Sequence, residues 1–180
     1  ASLQSAISAG TGSTSDGKPY DVDSLTLVGT AVGTFNDKDV SDATKIVFSG
    51  ISLTGSDSGN YSLTDHADAS HSISAKAVTI SGLTSSDKIY DGTTNATVAG
   101  TASLQSAISA GTGSTSDGKP YDVDSVSITG TAVGTFNDKD VSDATTVAFS
   151  GLSLTGTGAG NYSLSNHADA SHTISVKPVT

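Results

Sequence analysis

The chain repeats itself over almost its whole length. The sequence ASLQSAISAGTGSTSDGKPYDVDS begins at Ala1 and begins again at Ala102, which is a period of 101 residues. The two copies stay in register without a gap to the C-terminus, and only Ile80–Thr101 occurs once. About 100 residues is a common domain size. The repeat therefore predicts copies of one fold, and we expect this chain to be a piece of a longer tandem array, opened within a unit.

Composition favours strands and turns. Ser, Thr, Gly, Ala and Asp dominate, while Glu and Arg, both good helix formers, are absent. The formal net charge of −10 predicts no binding to nucleic acid, because no basic face could neutralise phosphates. The sequence has no Cys, which excludes disulfides, thiolate nucleophiles and Cys-based zinc sites. No apolar run approaches the roughly 20 residues of a membrane span, so we expect no membrane insertion by this fragment.

Alternating apolar residues predict strands with one buried face. In SLTLVGT the side chains of Leu25 and Leu27 share a face, and the second copy keeps that face apolar with Val126 and Ile128. KIVFSGISL behaves in the same way. Gly, Asp and Ser clusters separate the predicted strands at short intervals, as in a sandwich or related all-β fold. Further strands are predicted at 60–63, 72–76, 78–83 and 96–102.

Helix is limited to two short stretches. SLQSAIS predicts at most a short helix near Ser2–Ser8 and near Ser103–Ser109, too short to be stable without packing. The long Gly/Ser-rich loop that follows is predicted to be mobile, with local packing around Tyr20 as the alternative.

Several motifs together carry a family resemblance. KIYDGTT at Lys88–Thr94, GTAVGTFNDKDV in both copies, and the GNYSL endings at 59–63 and 160–164 resemble the YDG repeats of large bacterial surface adhesins, which are filamentous-haemagglutinin-like and occur beside MBG-type modules. The resemblance implies tandem, elongated β-sandwich-like modules, Ig-like or β-grasp-like, with short junctions. It also implies a complete unit at 77–180 and, at 1–76, a unit lacking its opening strands.

A unit without its opening strands would expose a sheet edge and part of its core. We favour a first unit that folds with that edge open. The alternatives are that Ile80–Thr101 pairs with the first copy, that a neighbouring chain fills the gap, or that the true unit is drawn differently.

The motif residues are expected to build turns rather than to contact a ligand. In the YDG motif, Gly92 can take a positive φ, Asp91 can bond to nearby amides, and Tyr90 can be half-buried. The same interpretation applies to the two GNY motifs. Their residues are Gly59, Asn60, Tyr61, Gly160, Asn161 and Tyr162.

Two acidic clusters are candidates for calcium, because Ca²⁺ prefers carboxylate and amide oxygens. An Asp-rich turn explains the same residues, since the EF-hand pattern is missing. Calcium is thus the one cofactor considered. The candidate ligands are Asp37, Asp39, Asp42, Asp138, Asp140 and Asp143.

The sequence DHADASH places His66, Asp68 and His71 close together, and the second copy repeats the pattern. These are plausible transition-metal ligands, but a solvated turn is favoured. We find no nucleophile–base set and no phosphate-binding motif, so we predict no catalytic residue and no enzyme.

The predicted function is a structural stalk or spacer of a bacterial cell-surface or secreted adhesin, which projects an adhesive region for cell adhesion or biofilm formation. The expected location is extracellular, and the expected partners are neighbouring repeat units of the same polypeptide. A host or abiotic surface would be bound through other regions. The alternative is a glycan- or surface-binding module, stabilised by calcium or not.

Overall fold

The computed structural model of the chain describes residues 2–64, 67–165 and 167–180. The chain divides into two compact units: the first comprises Ala1–Lys38 and Asp42–Ile73, and the second comprises Asp39–Ser41 and Ser74–Thr180. Strands are the main regular structure of the described residues, which otherwise contain two 3₁₀ turns, and this confirms the predicted all-β fold. The modular division at residue 76 and the short junctions stay predictions.

The first unit is built on one antiparallel sheet. Its strands are β1 (Thr26–Phe35), β2 (Lys45–Thr54) and β3 (Ala69–Ser70), in the order β1-β2-β3. β1 therefore lies at a sheet edge.

The second unit begins with β4 (Lys76–Thr84), β5 (Lys88–Ile89), β6 (Asn95–Ala96) and β7 (Ala99–Leu104). We call residues 76–104, most of which occur once in the sequence, the opening segment. The strands that follow are β8 (Ser127–Phe136), β9 (Thr146–Thr155), β10 (Tyr162–Ser165), β11 (Ala170–Ser171) and β12 (Ile174–Ser175).

The opening segment joins the rest of the second unit at three strands. β6 pairs antiparallel with β8 and extends its sheet to the order β11-β9-β8-β6. β4 pairs parallel with β10 and antiparallel with β7, and β5 pairs parallel with β12. The segment thus belongs to the second unit, rather than pairing with the first copy as one alternative allowed.

Paired glycines shape the long hairpins. In β8–β9 the register shifts between Gly130 and Val133, and Gly130 and Gly151 adopt φ of +98° and +82°. A Cβ at Gly151 would lie 2.3 Å from the Thr131 carbonyl oxygen. β1–β2 and β4–β7 carry equivalent bulges and glycine pairs. Only glycine fits here, because the bulge combines a positive φ with a close backbone approach.

The predicted alternation along the strands is confirmed. Val147 and Phe149 on β9 are buried, while Ala148 between them is exposed. They form one core with Phe136, Leu83 and other apolar residues of the second unit. The buried members of this core are Leu83, Phe136, Ala144, Val147, Phe149 and Ile174.

Three predicted strands need correction, while the one predicted at 78–83 lies within β4. The strand predicted at 96–102 is interrupted at residues 97–98, between β6 and β7. Residues 60–63 were expected to be a strand but form none; their counterparts in the second copy overlap with β10, because only there does β4 supply a parallel partner. Residues 72–76 were also expected to be a strand, and strand structure begins only at Lys76.

The region predicted as a short helix is not helical at Ser2–Ser8 or Ser103–Ser109. Instead, the Ile7 N–H donates to the Pro19 carbonyl at 2.9 Å, and the Asp21 N–H donates back to Ile7 at 2.8 Å. The second copy repeats these bonds at Ile108. So short a segment gains more from pairing across the loop than from a helical turn. The Gly/Ser loop is accordingly closed on itself, which favours the packed alternative.

Candidate functional site

The YDG motif forms a turn held by its own side chains. One carboxylate oxygen of Asp91 accepts the Thr93 N–H at 2.9 Å and the Thr93 hydroxyl at 2.9 Å. Gly92 has φ of +81°, and a Cβ there would meet nothing within 4 Å. Glycine is therefore required for its backbone conformation alone. These features are those expected of a tight turn.

The half-buried Lys88 side chain stabilises this turn. Its Nζ lies 2.8 Å from Asp91 Oδ1 and donates to the carbonyl oxygens of Thr93 at 2.7 Å and Asn95 at 2.9 Å. The Lys88 ammonium holds the pKa of Asp91 down to about 2, with help from the Thr93 N–H and hydroxyl. The ammonium also lies 5.6 Å from the centroid of the Phe136 ring. The motif therefore joins the turn to the core.

Tyr90 contributes packing and a backbone bond. Its side chain packs against the core of the second unit, and its N–H donates to the Ser175 carbonyl at 2.8 Å in the β5–β12 pair. All three YDG residues thus hold the opening segment in place.

We expect Lys88→Met to raise the pKa of Asp91 from about 2 toward its ordinary value of 3.8. Carbon NMR of the carboxyl group during an acid titration measures this. Since the pKa of Asp91 is depressed on folding, its contribution to stability is present above about pH 4 and is lost as the pH falls toward about 2. Lys139→Met, which removes the partner of Asp140, is the matched control and should leave Asp91 unchanged. An unchanged pKa of Asp91 in Lys88→Met would contradict this role of Lys88.

Each GNY motif ends in a tyrosine whose hydroxyl group holds the Gly/Ser loop in place by hydrogen bonds. In the second copy the Tyr162 hydroxyl donates to Asp124 at 2.6 Å and accepts the Tyr121 N–H at 2.9 Å. In the first copy Tyr61 makes the same two bonds, to Asp23 and Tyr20. This explains why the loop is packed: a distant tyrosine satisfies its backbone.

The other GNY residues form one 3₁₀ turn in each copy, Ser58–Asn60 and Ala159–Asn161. The expected positive φ occurs at Gly92 but not at Gly59 or Gly160, where a Cβ would also meet nothing within 4 Å.

We expect Tyr162→Phe to destabilise the second unit by about 1–3 kcal/mol, because it removes the hydrogen bond to Asp124 and leaves the Tyr121 N–H without its acceptor. Burial and the bond to Asp124 raise the pKa of Tyr162 to about 12. Its contribution to stability is therefore present below about pH 10 and lost as the pH rises through about 12. Denaturation at pH 8 and 11.5 measures both effects. Tyr61→Phe is the matched control and should cost less, because Tyr61 is only half-buried. Equal costs would contradict the role of burial.

The calcium candidates lie in the loop between the two long strands of each copy. In the second copy, Asp138 accepts the Asp140 N–H at 2.8 Å, Asp140 pairs with Lys139 at 2.7 Å, and Asp143 accepts the Ser142 hydroxyl at 3.0 Å. In the part of the chain that the structure describes, no three His or Asp side chains are grouped to hold a metal ion. Calcium binding stays a prediction.

An asparagine organises this loop. Asn137 Oδ1 accepts the N–H groups of Thr145 and Thr146, each at 2.9 Å, and its Nδ2 donates to the Asp143 carbonyl at 2.9 Å. Asn36 does the same in the first copy. In each copy, the side-chain amide of one asparagine thus holds the loop between the two long strands in place.

The His/Asp pattern is not brought together in the second copy. The His167 ring packs edge-on against Phe149, with centroids 5.0 Å apart, while His172 Nδ1 lies 3.2 Å from Asp87 in the opening segment. In the first copy Asp68 pairs with Lys45 at 2.6 Å, and His66 lies outside the described residues.

Among the described residues, cavities offer little room for a ligand. A cleft beside Ile80, Phe149 and His167 has a cavity volume of about 10 Å³. Ligand pockets usually enclose about 300–1,000 Å³. No helix within the described residues is long and apolar enough to cross a membrane.

The YDG turn, the contacts of Lys88 and the hydrogen bonds of Tyr61 and Tyr162 define a class of β-domain. In this class the motif residues stabilise the fold. The family model of the YDG domain matches residues 4–70 and again residues 74–171. The chain therefore belongs to the YDG domain family. No curated protein and no solved structure matches it.

Sequence reasoning missed two structural features. Lys76 is buried, with its Nζ 3.0 Å from Asp117 in an ion pair rather than a directed hydrogen bond, and 4.1 Å from the centre of the Tyr121 ring. Strands were predicted at 78–83 and 96–102, but the pairing of β4 with β7 around two glycines was also missed. Its signal was present: SGL occurs at 81–83 and 150–152, and GTA occurs at 100–102 and 130–132.

Proposed function

We propose that this chain is a set of structural spacer repeats from a bacterial cell-surface or secreted adhesin. The observation that carries the proposal is the use of the motif residues: Asp91, Lys88 and Tyr162 all bond within the protein and build the fold. The chain repeats a nearly identical unit, and the motif residues of that unit stabilise its fold. Such repeats suit a protein whose role is to set the distance between other regions. Neighbouring repeat units are then its main partners, and it carries no catalytic residue.

The alternative, a glycan- or surface-binding module, calls for exposed aromatic side chains on which a sugar can stack. All five tyrosines are buried or half-buried, and Phe35, at 36% exposure, is the one phenylalanine or tyrosine of the described chain that is exposed. Tyr121 lies beneath the Lys76 ammonium, and Tyr90 packs on the core. This favours the spacer over the binding module.

The proposal is tested in the complete surface protein on cells. We expect deletion of these repeats to reduce adhesion while the protein remains displayed. Replacement by an unrelated β-domain spacer of equal length should restore adhesion. If only the native repeats restore it, the spacer function is wrong and a binding function takes its place. Thermal unfolding with Ca²⁺ and with a chelator tests calcium separately; an unchanged midpoint would remove calcium from the alternative.

A further inference from the structure

The opening segment contains a sequence that fits the acceptor pattern for N-linked sugars. Asn95, Ala96 and Thr97 read N-A-T, and an exposed asparagine in the pattern Asn-X-Ser/Thr is the residue to which the sugar is joined. Because so short a pattern also arises by chance, it marks a site only where the fold exposes both the amide and the hydroxyl. The structure of the second unit decides this for Asn95.

The N-A-T sequence presents its amide and its hydroxyl on one outward face. Asn95 and Thr97 are exposed, while Ala96 and Val98 are half-buried and pack against the core. A Cβ at Gly134 on β8 would lie 3.2 Å from Ala96 Cβ and 2.9 Å from Val98. This is the alternation of an extended segment, in which residues i and i+2 share a face. Asn95 and Thr97 therefore lie on the same solvent-facing side.

The backbone around Asn95 leaves this face accessible. β6 is an edge strand of its sheet and ends at Ala96, so Thr97 lies outside regular structure. Lys88 Nζ binds the Asn95 carbonyl oxygen at 2.9 Å rather than the side-chain amide. Among the described residues, neither the Asn95 amide nor the Thr97 hydroxyl makes a hydrogen bond. An enzyme can thus reach both groups without opening the fold.

The second unit contains the pattern again at Asn161-Tyr162-Ser163, and there the fold protects it. Asn161 is half-buried, its Nδ2 donates to Asp39 Oδ1 at 2.8 Å, and its Oδ1 accepts the Val40 N–H at 2.8 Å. Tyr162 is buried, and β10 pairs with β4. An amide that is bonded through both of its atoms reacts only after local opening. Asn161 is therefore an internal control for Asn95.

We propose that Asn95 is an N-glycosylation site, and that its co-substrate is a sugar activated by a diphosphate leaving group. Asn95 Nδ2 attacks the anomeric carbon, and a bond forms between that nitrogen and that carbon. The bond from the anomeric carbon to the diphosphate oxygen breaks, and the diphosphate leaves with its electron pair. One amide proton passes to a base of the glycosyltransferase.

A sugar on Asn95 would stand beside the exposed edge of β6. Unpaired strand edges invite pairing with other chains, and bulky polar groups block it. The modification would therefore protect this edge of the second unit. The inference does not depend on the adhesin function, because it concerns the folded second unit alone.

The test uses the full chain with Asn60→Gln, which removes a third Asn-X-Ser sequence at 60–62. One sample receives a soluble N-glycosyltransferase with UDP-glucose, and another receives an oligosaccharyltransferase with a lipid-diphosphate-linked oligosaccharide. Mass spectrometry of the digested protein measures the occupancy of Asn95 and Asn161. We expect occupancy of Asn95 at least roughly tenfold above that of Asn161, because Asn161 needs local opening first. Modification in one sample alone identifies the class of donor.

Matched variants test recognition of the pattern. Thr97→Ala removes the hydroxyl group and should abolish modification of Asn95, while Thr97→Ser keeps the hydroxyl and should retain it. Thr97 is exposed and outside regular structure, so both variants should stay folded. Synthetic peptides of residues 90–100 and 156–166 remove the effect of the fold, and both should be modified.

Four results would overturn the proposal. Modification of the 90–100 peptide but not of the folded chain would mean that the fold blocks Asn95. No modification of either would mean that N-A-T is not an acceptor in this context. Equal occupancy of Asn95 and Asn161 in the folded chain would mean that exposure does not select the site. Modification that persists in Thr97→Ala would mean that the enzymes do not recognise this pattern.

Discussion

Replacement of Gly151 by alanine is expected to destabilise the second unit by roughly 2–5 kcal/mol, the sum of left-handed backbone strain and a backbone clash. Gly151 has φ of +82°, and its Cβ would lie 2.3 Å from the Thr131 carbonyl oxygen. The Thr131 carbonyl follows Gly130 on β8, and Gly130 has a positive φ and an equally close approach to the Gly151 carbonyl, so a shift of either carbonyl would disturb the β8–β9 pairing. The loss is measured by denaturant unfolding of protein that carries fluorinated phenylalanine, with the fluorine NMR signals of Phe136 and Phe149 as the readout.

Gly160→Ala is the matched control in the same unit. Gly160 lacks a positive φ, and its Cβ would meet nothing within 4 Å, so the change should stay within about 0.5 kcal/mol. Gly92→Ala should fall between the two, because Gly92 has the positive φ but no clash. A loss below about 1 kcal/mol for Gly151→Ala would show that the bulge can relax, contrary to the observed geometry.

Phe136→Ala is expected to cost about 3–5 kcal/mol, because it leaves a cavity in the centre of the second unit. Phe35→Ala makes the identical change at the equivalent position of the first unit. It should cost about 1–2 kcal/mol at most, since Phe35 is 36% exposed and Phe136 only 2%. The two losses are measured separately by denaturant unfolding of protein that carries fluorinated phenylalanine. The NMR signal of Phe48 reports on Phe35→Ala, and the signal of Phe149 reports on Phe136→Ala. Equal losses in Phe35→Ala and Phe136→Ala would contradict the difference in burial between the two phenyl rings.

The residues at the YDG turn were predictable because their interactions are local. Asp91 bonds to Thr93 two residues later, and Gly92 supplies the backbone conformation that the turn needs. Lys88 is also near in sequence, but its contact with the Phe136 ring joins residues far apart in sequence and could not be read from local spacing. The hydrogen bonds of the Tyr61 and Tyr162 hydroxyls join residues about 40 positions apart, and no periodic pattern in the sequence predicts them.

The repeat, the one-sided strands and the glycine-dependent turn at Gly92 could be predicted from the amino-acid sequence, because each follows from local spacing and backbone sterics. Which residues become strands depends instead on contacts between segments that are distant in the chain. The residues YSL occur at 61–63 and at 162–164, yet only the second set forms a strand. A strand needs a neighbour to satisfy its N–H and carbonyl groups, and β4 supplies that neighbour only in the second unit.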